Sequence, residues 1–223
     1  VNKTKIEYCT HTWNPMTGCR HGCDFCYAAK ICKRYGRSFE PALHPDRLDQ
    51  PAKMKKPCVV FVCDMGDIFS PGTRTAWRDR VKAAADAAPW HTYLWLTKNP
   101  RYDESWIRSN WWLGASITGP EDAWKREVME GENIWYSYEP LFGVPDPENV
   151  WNAQQVVIGR ATNHKSEWSD TWARQLTQYY QSVGTKVYWK NNIKADGPRD
   201  LCWKLYDPES KIRKQVEEAT NGR

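Results

Sequence analysis

The 223-residue chain is 40% hydrophobic and 26% charged, with a formal net charge of +5. It has enough apolar content to bury one sizeable core and too little net charge to demand a polyanionic partner. No apolar run approaches the roughly 18 residues of a membrane span, and the opening VNKTKIEYC has no signal-peptide core, so a cytoplasmic protein is expected.

In chain order, IEYCTHTW predicts a first strand, and CDFCYAAKICKRYG predicts a helix behind a cysteine-rich loop. The proline-rich stretch from Arg37 to Pro57 is too long for an ordinary connection and reads as a lid or an outer strap. Six short runs follow: CVVFVCD, TYLWLT, WWLGASI, IWYSYEP, QVVIG and KVYWK. Rich in aromatic and β-branched residues, they read as strands buried on both faces, as in a parallel sheet. Between them, TRTAWRDRVKAAADAA places Trp77, Val81, Ala84 and Ala88 on one helix face. SDTWARQLTQYYQSVG does the same with Trp172, Leu176, Tyr179, Tyr180 and Val183 before a stop at Gly184. GPEDAWKREVMEG adds a shorter helix between Pro120 and Gly131. Trp95, Trp111, Trp112, Trp135 and Trp189 fall within the apolar runs and are core candidates.

Strand and helix alternate through about seven units, so the expected fold class is α/β: an incomplete TIM-like (β/α) barrel of about seven parallel strands. A full eightfold barrel takes about 250 residues. The chain reads as a single domain, with its core over about residues 6–190 and a C-terminal extension over 191–223.

The stretch GCRHGCDFCYAAK holds Cys19, Cys23 and Cys26 in a CxxxCxxC pattern, with Phe25 just before the last thiol. Eight cysteines in a chain this long do not suggest a disulfide framework, which belongs mainly to domains under about 80 residues. Structural zinc takes four ligands; there is no second cysteine pair, although Cys9, Cys32 or His21 could supply a fourth. An electron-transfer 4Fe-4S cluster also takes four thiolates. Three thiolates on a cubane leave one iron open to a cofactor.

This spacing, with Phe25, resembles the signature of the radical S-adenosylmethionine (SAM) superfamily. The segments TWNPMTGC, GCDFCYA, HPDRLDQP, VFVCDMGDIFS, WLTKNP, WLGASI, YEPLFG, VVIG and VYWK extend the likeness over about Thr12 to Lys190. Together they resemble a phage and bacterial radical-SAM family without an assigned function and, more distantly, spore photoproduct lyase, a DNA-repair enzyme. Many members of that phage and bacterial family have a longer first cysteine spacing and no aromatic before the third thiol, so the tighter pattern here points to the superfamily more than to any subfamily role. The resemblance implies a 4Fe-4S cluster on Cys19, Cys23 and Cys26, SAM on the open iron, reductive cleavage to a 5'-deoxyadenosyl radical that abstracts hydrogen from a substrate, and an electron donor such as flavodoxin or ferredoxin.

In parallel β/α folds, functional groups collect at the carboxyl ends of strands, and those ends are polar here: CDMGD, TKN, ASITG, SYEP, GRATNH and WKNN. A zwitterionic cofactor needs a cation or hydroxyl for its carboxylate, acceptors for its amine and ribose, and apolar cover for its adenine. Through the lyase resemblance, Lys98 and Ser116 suit the carboxylate. Asp64 or Asp67 suits the amine, Glu139 the ribose or substrate, and Phe25 the adenine. The same carboxylates also read as helix caps or strand-end ion pairs. Cys63 is a candidate hydrogen-atom donor by that resemblance, and a buried core thiol by its composition. Arg160, His164 and Lys190 could face a substrate phosphate or pair on the surface. Cys202 could fold back over the barrel mouth.

The modest positive charge, the aromatic supply and the lyase likeness favour a nucleic acid or nucleotide substrate, for repair or modification. The competing reading is a non-catalytic nucleic-acid-binding module stapled by zinc or an iron-sulfur cluster, which requires a fourth ligand near Cys19.

Overall fold

The computed structural model describes residues 1–144, 153–161 and 168–203. An eight-stranded sheet organises them. The short β1 (Asn2–Lys3) lies antiparallel on β2 (His11–Trp13). From β2 onward, β5 (Val59–Val62), β6 (Thr92–Thr97), β7 (Trp111–Ser116), β8 (Ile134–Tyr138), β9 (Gln155–Ile158) and β10 (Lys186–Trp189) follow side by side, all parallel and in chain order. The fold is thus α/β with a mostly parallel sheet. A second, two-stranded sheet pairs β3 (Met16–Thr17) with β4 (Ala42–Leu43).

Alternation along the strands sorts side chains into two layers. Val60, Val62, Tyr93, Trp95, Leu113, Tyr136, Tyr138, Val156, Val187 and Trp189 join one cluster. The helices α3 (Thr75–Asp86) and α5 (Asp170–Ser182) close this layer with Val81, Ala85, Ala173, Leu176 and Tyr180. The intervening residues Val59, Phe61, Leu94, Trp112, Trp135, Val157 and Tyr188 form a second cluster with Tyr8 and Trp203. At its centre Trp135 is fully buried, and its indole N–H donates to the carbonyls of Trp95 at 3.0 Å and Trp112 at 3.3 Å. Gly114 makes that approach possible, since a Cβ there would stand 2.3 Å from Trp135 Nε1. All five tryptophans expected in the core are buried.

The Arg37–Pro57 stretch is a strap. Its β4 pairs with β3, a short turn of helix follows at Pro45–Arg47, and α2 (Gln50–Lys53) packs on α3. The Trp13 indole donates to Arg47 O at 2.8 Å, which ties the strap to β2.

Three expectations change. The first strand is shorter than Ile6–Trp13 because Tyr8 turns into the second cluster and only His11–Trp13 pairs with β5. The helix expected between Pro120 and Gly131 is a 3-10 turn at Pro120–Asp122 followed by the four-residue α4 (Trp124–Glu127). Val183, placed on the apolar face of α5, is 58% exposed because it is the C-cap residue, where the helix ends. Among the described residues no helix is long and apolar enough to cross a membrane.

Candidate active site

The carboxyl ends of the parallel strands, together with the cysteine loop, wall a cavity of about 400 Å³. Cys19, Cys23, Phe25, Cys26, Cys63, Asp64, Asp67, Lys98, Ser116 and Glu139 all line it, as do Arg160 and Lys190. Residues spread over more than 170 positions therefore meet because each ends a parallel strand, lies in the loop that follows one, or belongs to the cysteine loop after β3. His164 lies outside the described residues.

Two glycines seat the cysteine loop. Gly18, at φ +82°, donates its N–H to Met65 O at 2.9 Å and bridges Gly66; a Cβ on Gly18 would fall 2.1 Å from Glu40 O. A Cβ on Gly66 would meet Gly18 O at 2.9 Å. The loop after β5 is thus pressed backbone to backbone against the residue before Cys19. Cys19 N donates to Phe39 O at 2.9 Å, and Arg20 N to Ser70 Oγ at 2.7 Å.

The three thiols are half-buried. Cys26 caps the N-terminus of α1 (Tyr27–Arg34), accepting from Ala29 N at 3.4 Å, and Cys19 Sγ accepts from His21 N at the same distance. Such N–H donors favour sulfur that carries negative charge. Burial pushes the Cys19 and Cys23 thiols up; the Lys98 charge opposes the shift at Cys23. Among the described residues no three His, Cys, Asp or Glu side chains converge as ligands of one metal ion require.

Asp67 is buried and has a different task from the one expected of it. Its Oδ1 accepts from Phe69 N at 2.8 Å and Thr97 Oγ1 at 2.7 Å; its Oδ2 accepts from Lys98 N at 2.9 Å and His21 Nε2 at 3.1 Å. Burial alone would raise its pKa, but the His21 bond and charge, with the Lys98 and Thr97 bonds, hold it below the usual carboxylate value. With both oxygens taken twice, Asp67 is a post that joins the cysteine loop to the end of β6 and is not an acceptor for a ligand amine. His21, named from sequence only as a fourth metal ligand, is one of its donors. Cys9 and Cys32, the other two candidates, do not line the cavity.

Asp64 behaves differently. It is half-buried, and burial raises its pKa despite bonds from Asn14 Nδ2 at 2.5 Å and from Thr12. Lys98 is aimed across the cavity. Its Nζ donates to Ser116 Oγ at 3.0 Å and stands 4.9 Å from the centre of the Phe25 ring. Glu139 is ion-paired with Lys190, and Gly159 leaves room for both side chains. Cys63 is 4% exposed, with φ at +59° and its thiol pushed up to about 12 by burial; it lines the cavity while counting as core. Left-handed backbone at a residue other than glycine is uncommon.

Cys202 does not fold over this mouth. Its N–H and Sγ bond Gln155 Oε1 at 2.8 Å and Gln154 O at 3.3 Å, at the opposite end of β9. Tyr8 and Tyr27 were not anticipated as cavity walls: Tyr8 lies in an apparent strand, and Tyr27 reaches back from α1 to donate to Asp64 O.

No curated protein and no solved structure matches this chain. A family model described as "Protein of unknown function (DUF5131)" matches residues 3–220, nearly the full length, and the chain therefore belongs to the DUF5131 family.

Proposed function

We propose that the chain is a cytoplasmic radical SAM enzyme, in which Cys19, Cys23 and Cys26 would hold three irons of a 4Fe-4S cluster and the cavity beside them would take SAM. The observation that carries this reading is the meeting of the three thiols with the polar ends of β5 to β10 in one cavity. Seven parallel strands in chain order, with an aromatic cluster on the face away from α3 and α5, support an incomplete barrel. When bound, the cluster and SAM would supply one-electron cleavage of SAM to methionine and a 5'-deoxyadenosyl radical that takes hydrogen from the substrate.

The donor set fits such a cluster. Three half-buried thiols on one cavity would offer three thiolates and leave one iron of a cubane open. Backbone N–H groups at Cys19 and Cys26 would stabilise the thiolates. Lys98, propped by Ser116 and backed by Phe25, would hold the SAM carboxylate. Asp64 is the acceptor left that could take its amine, Glu139 would suit the ribose or the substrate, and Phe25 would flank the adenine. Cys63 stands where a thiol could return a hydrogen atom to a product. Tyr8, Phe61 and Leu96 give the cavity an apolar wall. A flavodoxin or ferredoxin would supply the electron, and a nucleic acid or nucleotide is the favoured substrate class.

Anaerobic reconstitution with iron and sulfide, followed by reduction and addition of SAM, tests the reading. A SAM-dependent change in the cluster EPR spectrum is expected together with 5'-deoxyadenosine, and both should vanish in Cys19→Ala, Cys23→Ala and Cys26→Ala. A stoichiometric zinc site, or a cluster whose spectrum ignores SAM, would sink the proposal.

A further inference from the structure

The two loops that end β5 and β6 also wall a second cavity, of about 480 Å³, bounded by α3 and by the segment leading into β7. Phe69 and Trp106, both buried with ring centres 5.1 Å apart, lie at its base. Three cations line it: Arg78, Lys82 and Arg101.

The hydrogen bonds of these cations go to neutral groups, although the Asp103 carboxylate, bridged to Lys82 through Ser105 Oγ, also acts on the Lys82 charge. Arg78 donates from Nη1 to Thr73 Oγ1 at 3.0 Å and from Nη2 to Thr75 Oγ1 at 2.8 Å, with its guanidinium 5.5 Å from the Phe69 ring centre. Lys82 donates to Ser105 Oγ and stands 5.0 Å from the Trp106 ring centre. Arg101 Nε donates to Asn99 Oδ1 at 3.4 Å. Among the described residues none of the three forms an ion pair within 4 Å. Two carboxylates also line the cavity. Asp103 is occupied by Ser105 N and Oγ, and with Asp79 it leaves one positive charge in excess.

We propose that this cavity is a phosphate-binding subsite. A guanidinium braced by hydroxyls and an aromatic face loses little freedom on binding, and its fork matches phosphate oxygens. The Thr75 hydroxyl is a further donor, whereas those of Thr73 and Ser105 already donate to the Ile68 and Ser70 carbonyls and to Asp103; the volume accepts a nucleotide as readily as a bare ion. Ser70 in its wall accepts from Arg20 N, and Asn99 Nδ2 donates to Phe69 O, so the subsite shares a rigid partition with the cysteine cavity. The inference stands apart from the cofactor reading because it needs neither cluster nor SAM.

The test uses protein as purified, without reductant or SAM, a fluorescent single-stranded oligonucleotide of about ten residues, and inorganic phosphate and a nucleoside monophosphate as competitors. Arg78→Gln and Arg101→Gln should each weaken binding about tenfold, the scale of one lost charge-assisted contact. Lys55→Gln, on an exposed loop elsewhere, should leave binding unchanged. Arg78→Lys should recover part of the loss. If the competitors displace the probe at similar concentrations, the ligand is a free phosphate compound. If the oligonucleotide alone binds well, with a log–log salt slope near −0.7 per contacted phosphate, it is a polynucleotide. Absence of binding by all three probes, or binding untouched by both glutamine variants with unchanged urea midpoints, overturns the subsite.

Discussion

Asp64 and Asp67 are three residues apart in one loop and line one cavity, yet the fold treats them in opposite ways. Asp67 is the more buried, but it accepts four hydrogen bonds and keeps its charge more readily than a free carboxylate. Asp64 is less buried and less well served, so burial wins and its charge is disfavoured. The number and aim of donors, more than depth, decide which of the two carboxylates keeps its charge readily and which holds it at a cost.

The largest effect that would break this contrast is Asp67→Ala. Removing a buried charge that binds His21, Thr97 and the β6 backbone should cost about 3–5 kcal/mol, read from urea midpoints. The pH dependence follows the same logic. Asp67 has a native pKa below its ordinary 3.8, so its contribution is present above that value and is lost as pH falls through the native one. An Asp67→Asn variant should lack this limb of the acid-unfolding curve, and an unchanged limb would assign acid sensitivity to other groups.

Gly66→Ala comes next. The new Cβ would press on Gly18 O, and about 1–3 kcal/mol of destabilisation is expected. Because Gly66 sits between the two acids, it should also loosen the cysteine loop, seen as faster cleavage there in limited proteolysis. Asp64→Asn should have the smallest effect and the opposite sign. Its native pKa lies above 3.8, so stability is lost as pH rises from 3.8 through the native value. The amide avoids that loss and can still accept from Asn14. After discounting for partial exposure, a gain of up to about 1 kcal/mol at neutral pH is expected in thermal melts.

The strands were legible because a strand covered on both faces writes its burial into consecutive residues; TYLWLT coincides with β6. The tryptophan core and the long helices α3 and α5 were legible for the same kind of reason, a period that burial enforces. The Pro120–Gly131 helix was misjudged because its charged residues turn inward. Lys125 is 4% exposed, bonds Ser116 O and pairs with Asp122. The candidate site was legible as a set of strand-end residues, since sheet order brings such ends together. The role of Asp67 was not, because its donors come from positions 21, 69, 97 and 98. Hydrogen-bond saturation by distant segments leaves no local pattern.

A sheet whose spatial order equals its chain order also has a consequence during synthesis. Each parallel strand emerging from the ribosome finds its neighbour already in place, so every new edge is covered by the next arrival and pairing can advance from β2 to β10 without a long search. Bonds from the end of the chain back to its start depart from that progression: Tyr188 Oη and Asn191 N both donate to Glu7 Oε2. The Trp203 indole donates to Tyr8 O across 195 positions and stacks edge-on against Tyr8, Trp112 and Trp135. A nascent chain halted before Trp203 would carry all seven parallel strands and still lack this lid on its aromatic interior.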